Sequence, residues 1–308
     1  MRVVGVDIGG TKIAVSTDEP RAEALIAPTP RGAEAIIAAV LELVRDAAGG
    51  EPFAGVGVGT AGTVDATGAI AAATDLIPGW SGTPLAARLA EELSVPVVVL
   101  NDVHAVALGE AVSGAGRGFD RVLVAATGTG LGGAFVRDGV LDAGSHGAAG
   151  SLGHIPLPGL ERICSCGLPA HAEPYASGPG MERTFAEAGG SRMALPAIGE
   201  LARAGDRRAI DAIASGGQAL GRALSVAATI ADPDVIVVGG GPASLGELLL
   251  GPARERFRAE VPSPPLRQVP IVPAAFGPHA AIHGAQVAIR GRLAMQLTPG
   301  SPSSAAAR

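Results

Sequence analysis

Short runs of branched apolar residues alternate along the chain with longer stretches whose apolar positions recur every three or four residues. Val3, Val4, Val6 and Ile8 begin in strand fashion, a glycine pair interrupts them, and Ile13–Ser16 resumes the run. Residues 2–17 therefore predict strand, turn, strand. Ile36, Ile37, Val40, Leu41 and Val44 fall at helical spacing and predict a helix over 33–47. A strand is expected over 54–60, with Gly62 opening a turn, then a helix over 84–93. A short buried strand over 96–100 and a helix over 103–113 follow. Strands first, then alternating helix and strand, predict an α/β unit with a mixed sheet.

A second cycle starts near Arg121. Residues 122–127 read as a strand, a glycine-rich turn follows, and residues 134–139 continue as a strand, repeating the logic of the N-terminus. Residues 144–180, rich in Gly, Pro, His and Cys, predict an irregular region. Ile210, Ile213, Leu220, Leu224 and Ile230 predict a long helix over 207–230, ahead of a buried strand ending in Gly239–Gly241. A closing helix is expected over 280–294 and a disordered tail over 299–308. Two similar halves facing each other across a cleft predict a ligand site there.

Composition narrows the class. Of 308 residues 46 are glycine, about 15% against an ordinary ~7%. With 47% hydrophobic residues and no three-residue glycine period, a collagen-like or low-complexity chain is excluded. Glycines outside the strand-end turns are expected in loops or as a trace of GC-rich codon usage. The net charge of -6, without a basic run, argues against nucleic-acid binding, which needs cations to replace phosphate counterions. Asp7 and the glycines break the N-terminal apolar run too early for a secretory signal. No stretch is long and apolar enough to span a membrane. Cys164 and Cys166, two positions apart, pair poorly as a disulfide. A soluble cytoplasmic protein is expected.

Three glycine turns sit at strand ends. Asp7–Lys12 (DIGGTK) fits neither the Rossmann nor the Walker spacing, and it runs into a strand, not a helix. It fits an ordinary hairpin, and equally a turn whose bare backbone approaches phosphate oxygens. Thr127–Gly133 is a second such hairpin, and Gly239, Gly240 and Gly241 form a third turn. Together they fit a nucleotide held between two lobes. Asp7 offers an oxygen ligand to Mg²⁺. Asn101 and Asp102 follow the strand over 96–100, at the strand end where α/β sheets place ligands. A carboxylate there can take a proton from an attacking hydroxyl, and it also fits a helix cap; the two roles are compatible.

These motifs resemble those of the ROK family, within the actin-like ATPase superfamily. The resemblance covers about residues 2–290. It is carried by DIGGTK at Asp7–Lys12 and by Asn101, Asp102, Ala107, Gly109 and Glu110. Further matches are Thr127–Gly133 (one residue shorter than the family's pattern), the Leu76–Trp80 loop, Gly153-His154, and Cys164–Glu173. It implies an α/β, two-lobed actin-like ATPase (ribonuclease H-like) fold with mixed sheets. The small lobe would hold residues 1–112 plus 280–298, and the large lobe 113–279. It implies an ATP- and Mg²⁺-dependent kinase acting on the 6-hydroxyl of a hexose or modified hexose, and a homodimer. Asp102 would be the base. Gly62, Thr63, Thr74, Asn101, Asp102, Ser151, His154 and Glu173 would meet the sugar. Asp7, Gly9, Gly10, Thr11, Lys12, Thr127, Gly128, Thr129 and Gly130 would serve the phosphates and Mg²⁺, and Gly239–Gly241 the adenosine. The competing reading is a sugar-sensing regulator or a degenerate kinase. The family's repressors carry a DNA-reading segment ahead of the first strand, and this chain starts at that strand, so a DNA-reading role is not expected.

Two departures from the family pattern matter. His154, Cys164, Cys166 and His171 are potential zinc ligands within eighteen residues, and Cys₂His₂ is an accepted tetrahedral set. The alternative is two free thiols and two loop histidines. The family has a third cysteine where His171 stands, and glycine where Ala170 stands. A structural zinc there would staple the loop, and would orient His154 and Glu173 toward the sugar. Ser151 occupies a position that is Glu in glucokinase-like members. Losing that charged hydrogen bond costs about 1.5–3 kcal/mol toward the usual substrate. The gap fits a modified hexose, such as an amino or N-acyl sugar, and equally fits weak activity on glucose.

Overall fold

The computed structural model describes residues 1–18, 23–73 and 77–297. The tail expected over 299–308 lies outside the described residues. The chain divides into two compact units, residues 1–105 with the segment from 281, and residues 106–280.

The first unit opens with strands β1 (Val4–Ile8), β2 (Lys12–Thr17) and β3 (Leu25–Pro28), then helix α1 (Ala33–Ala48) and strand β4 (Val56–Thr60). A small ribbon of β5 (Thr63–Val64) and β6 (Ile70–Ala72), helix α2 (Leu85–Leu93) and strand β7 (Val97–Asn101) follow; helix α3 (Asp102–Ser113) begins in this unit and passes into the second at Val106. The main sheet has the order β3-β2-β1-β4-β7. β1 runs antiparallel to β2 and parallel to β4, which runs parallel to β7.

Residues in β1 and β4 alternate in size, and the sheet uses both faces differently. Val4, Val6, Val56 and Val58 are buried in one cluster with Ile36, Val40 and Leu89 of α1 and α2. Gly5, Gly57 and Gly59 occupy the intervening positions. A Cβ on Gly5 would stand 2.6 Å from the Ile282 carbonyl oxygen, and one on Gly57 would run into the backbone of Ala285. Both belong to helix α9 (Ala280–Leu297). The glycine face is therefore a bed on which α9 lies with backbone against backbone, a closeness any side chain would prevent.

The second unit carries β8 (Arg121–Thr127), β9 (Leu131–Arg137), β10 (Val140–Asp142), then helices α4 (Glu173–Ala176), α5 (Gly178–Glu187), α6 (Leu195–Arg203) and α7 (Arg207–Ala231). Strand β11 (Val235–Gly239), helix α8 (Glu247–Glu260) and strand β12 (Ile271–Pro273) complete it. Its sheet order is β10-β9-β8-β11-β12. β8 is antiparallel to β9 and parallel to β11, which is parallel to β12. Each unit thus holds two antiparallel and two parallel pairings in the same order, the ribonuclease H-like sheet of the actin-like ATPases. Helices α7 and α8 press together because Gly217 and Gly221, four apart on one helix face, have no side chain to meet the Leu249 and Ala253 carbonyls.

The region over 144–180 is more ordered than its composition predicts. It contains a short 3₁₀ turn at Leu152–His154, all of α4 and the start of α5. Two isolated bridges, Pro156 with His171 and Ile163 with Pro169, fold its middle back on itself. Among the described residues, no helix is long and apolar enough to cross a membrane.

Candidate active site

In the first unit the strand register assembles an acidic pair. Asp7 is in register with Gly59, and Gly59 with Leu100. Neighbours in register point to the same sheet face, which is the glycine face. A Cβ at Gly59 would lie 3.2 Å from Cβ of Ala105 and 3.8 Å from Cα of Asp102. The start of α3 therefore sits over the sheet beside Asp7, and glycine at 59 makes the approach possible. Burial, then the charge of Asp102, push Asp7 up to about 6, against the pull of Lys12. Burial likewise raises Asp102 above the ordinary carboxylate range, opposed by backbone N–H groups and His104.

Asn101 is the N-cap of α3. Its Oδ1 accepts the N–H groups of Val103 (2.9 Å) and His104 (3.3 Å), while Nδ2 donates to the Gly62 carbonyl at 2.9 Å. Asp102 Oδ1 also accepts from Val103 N–H at 2.9 Å. The cap expected of Asp102 is thus shared, with Asn101 accepting two of the backbone N–H groups and Asp102 one. Gly62 has φ +104, and a Cβ there would stand 2.6 Å from the Ala72 carbonyl oxygen, so the turn that presents its own carbonyl to Asn101 requires glycine. Thr63 follows at the start of β5, half-buried. In the hairpin turn, Gly9 N–H donates to the Lys12 carbonyl at 2.9 Å, and Thr29 Oγ1 donates to the Gly9 carbonyl at 2.7 Å. Gly10, Thr11 and Lys12 stay exposed at the tip.

In the second unit the equivalent turn is braced from beneath. Thr127 is fully buried and its hydroxyl donates to the Ala176 carbonyl at 2.7 Å. Gly128 N–H donates to Gly130 O at 2.8 Å, and Gly178 N–H to Gly128 O at 2.9 Å, while Thr129 is exposed at the tip. Gly240, at φ +92, lies where a Cβ would strike the Thr127 backbone, so the turn after β11 rests directly on this one; Gly239 is buried, and Gly240 and Gly241 are exposed. Glu173 Oε2 accepts Leu131 N–H at 3.2 Å, and a Cβ on Gly130 would stand 2.6 Å from that oxygen. Glu173 Oε1 accepts the Ser165 hydroxyl at 2.7 Å.

The four candidate ligands converge. One donor atom from each of His154, Cys164, Cys166 and His171 lies within 4.8 Å of the others. Cys164 Sγ is 3.5 Å from His154 Nδ1, and Cys166 Sγ is 3.2 Å from His171 Nδ1. A tetrahedral zinc ion with ordinary Zn–S and Zn–N bonds has S···N edges of about 3.5 Å, so the donor set and its spacing fit that ion. Burial pushes the Cys164 thiol up, which a bound dication would reverse. The loop has a second fastening. The hydroxyl of Tyr175 accepts the N–H groups of Glu161 (2.9 Å) and Arg162 (2.7 Å), and the Arg162 guanidinium donates to the Pro174 and Gly180 carbonyls.

Thr74 and Leu76 lie outside the described residues. Trp80, at the end of the Leu76–Trp80 loop, is 1% exposed and its Nε1 donates to Thr60 Oγ1 at 3.2 Å, so its side chain belongs to the core. Ser151 is exposed, and its hydroxyl donates to the Ala148 carbonyl at 2.7 Å, leaving it an acceptor for any ligand. Two roles were missed. Ser165 carries no role in the sequence motifs, and its hydroxyl meets Glu173. Glu110, fully buried, accepts the N–H groups of Ala115 (3.0 Å), Ala275 (2.9 Å) and Phe276 (2.9 Å) and so anchors the segment leading into α9. No sequence pattern announces either contact, since both depend on loop paths.

Comparison with known proteins gives the family of the chain. The model of the ROK family matches residues 3–291. The chain is 31% identical over 275 residues to a glucokinase of Thermotoga maritima, covering 83% of this chain and 87% of that protein. It is 33% identical over 263 residues to an N-acetylgalactosamine kinase of Shewanella, covering 80% and 83%. A ROK family glucokinase from Streptomyces griseus, solved with glucose and AMPPNP, superposes with a TM-score of 0.81 at 34% identity, over 92% of this chain and 98% of that one. The chain belongs to the ROK family.

Proposed function

We propose that the protein is an ATP-dependent sugar kinase that transfers the γ-phosphate to the 6-hydroxyl of a hexose or modified hexose. The observation that carries the reading is the acid pair, Asp102 at the carboxyl end of β7 beside Asp7 of β1, both raised toward neutrality by burial. Asp102 accepts the proton of the hydroxyl as its oxygen bonds to phosphorus and ADP leaves. A pKa lifted toward the working pH suits a general base. Asp7 offers a carboxylate oxygen to Mg²⁺, which supplies charge neutralisation on the phosphates.

The turns at Gly9–Lys12 and Thr127–Gly130 serve the phosphates, and Gly239–Gly241 the adenosine. Asn101, Gly62, Thr63 and Thr74 serve the sugar from the first unit, and Ser151, His154 and Glu173 from the second. His154, Cys164, Cys166 and His171 hold a structural zinc ion, which fixes the loop carrying His154 and leads into Glu173. The assembly is a homodimer and the compartment the cytoplasm.

Relatives that act on glucose and on an N-acetylated hexose both match the chain. Ser151 weighs toward the modified sugars. Its hydroxyl already donates to Ala148, so it lacks the charged grip a glutamate would give. The test is ADP release across glucose, mannose, glucosamine, N-acetylmannosamine, N-acetylgalactosamine and kanosamine, with 6-deoxyglucose as control. Turnover on at least one hexose and none on the 6-deoxy sugar is expected. Sugar binding without turnover on any of them makes the protein a sensor.

A further inference from the structure

We infer that Ser165 is a positioning residue for sugar recognition, acting through Glu173; the inference rests on the sugar role proposed for Glu173. The Glu173 carboxylate is held from two sides. Its Oε2 accepts Leu131 N–H at 3.2 Å, at the end of the Gly128–Gly130 turn, and its Oε1 accepts the Ser165 hydroxyl at 2.7 Å. The first bond comes from rigid sheet backbone. The second comes from the exposed loop between Cys164 and Cys166.

A carboxylate has about four lone-pair sites in its plane. The Leu131 and Ser165 bonds use one on each oxygen. The Cys164 thiol also reaches Oε1, at 3.7 Å, a long contact that ends when the thiol is a metal-bound thiolate; one site on each oxygen is then left to accept from sugar hydroxyls. Without the Ser165 hydroxyl, Oε1 keeps only the long thiol contact, and the carboxylate turns more readily about its terminal torsion, a broad and soft one. With both bonds, the plane is fixed before the ligand arrives, and that preorganisation lowers the cost of binding. The Ser165 hydroxyl also stands 3.8 Å from Cys164 Sγ, so the same short loop carries two metal ligands and the group that sets the carboxylate plane. Ser165 thus links the order of the Cys164–Cys166 loop to the grip on the sugar.

The test compares purified wild type with Ser165→Ala, Ser165→Thr, Glu173→Ala and the Ser165→Ala/Glu173→Ala double variant. Sugar affinity is read by calorimetry without nucleotide, alongside steady-state kinetics and zinc content. Ser165→Ala is expected to weaken sugar binding and raise sugar KM about fivefold to tenfold, less than the full loss of a hydrogen bond to a charged group, because Ser165 acts through Glu173 and does not itself touch the sugar. Its kcat should stay within about twofold, with KM for ATP and zinc content unchanged. Ser165→Thr, which keeps the hydroxyl, should restore affinity. In the Glu173→Ala background, Ser165→Ala should cost nothing further. Unchanged affinity in Ser165→Ala, with Glu173→Ala impaired, overturns the role of Ser165 alone, as does a Thr variant as weak as Ala. Unchanged affinity in Glu173→Ala overturns the Glu173 reading and this inference with it.

Discussion

Asp7 and Asp102 are coupled across Gly59, the residue whose missing side chain lets the start of α3 settle beside β1. Burial of Asp7, and after it the charge of Asp102, gives this arrangement a cost that depends on pH. Asp7 is pushed up to about 6 from an ordinary 3.8. Between those values the native state binds more protons than the unfolded one, so stability falls as pH rises through that window and is level above it. The loss attributable to Asp7 is about 3 kcal/mol. Asp102 is raised as well and adds in the same direction. Urea unfolding from pH 4 to 7 without Mg²⁺ should show this fall, and Asp7→Asn should flatten it. Identical slopes in the two proteins would remove the raised Asp7 carboxyl from the account.

The cluster of His154, Cys164, Cys166 and His171 should behave as one metal site. Wild-type protein is expected to carry one zinc ion per chain, and Cys166→Ser much less. Because Glu173 and His154 share the loop, metal loss should raise sugar KM about tenfold or more while leaving ATP binding in place. Metal analysis with thermal unfolding, before and after a chelator, checks this. A protein indifferent to both the substitution and the chelator has no such site.

Ala170 sits in the cluster loop at φ +64, in the left-handed region an alanine side chain resists. Ala170→Gly relieves that strain and is expected to stabilise the protein by up to about 1 kcal/mol, after the extra freedom glycine gains when unfolded. A higher midpoint in urea is the readout, and a lower one would show that Ala170 contributes packing that outweighs its backbone.

Gly57→Ala should do the reverse. The added methyl runs into the Ala285 backbone, a rigid neighbour, and α9 must lift from the sheet. A loss of about 1–3 kcal/mol or more is expected in urea unfolding. A neutral result would mean that α9 does not lie on the glycine face.

Much of the sheet was legible because Val and Ile runs end at glycines, as at Val4–Ile8 and Val235–Gly239. The long helix over 207–230 was legible from its period, and extends over Arg207–Ala231. The glycine excess was read less well. Turns were expected, and Gly9 and Gly128 lie in them, but Gly5, Gly57, Gly217 and Gly221 serve close contact with a helix distant in sequence. A size alternation in a strand signals two different faces; it does not say which helix covers the smaller one. α8 went unread because Pro252 interrupts its pattern, and α6 because it is only 9 residues long, with Pro196 in its first turn. At the site, motif residues were visible as motifs. Their partners were not: Ser165 reaches Glu173, and Glu110 reaches residues 275 and 276, through loop paths that no local pattern records.

The most direct test of the proposed chemistry is Asp102→Asn. The amide keeps the shape and an oxygen for Val103 N–H, and it cannot take a proton. With a sugar that wild type phosphorylates, kcat should fall about a thousandfold, within the usual range for removing a general base, while sugar and ATP affinities stay within a few-fold. An Asp102→Asn enzyme that phosphorylates the sugar as fast as wild type would contradict the account.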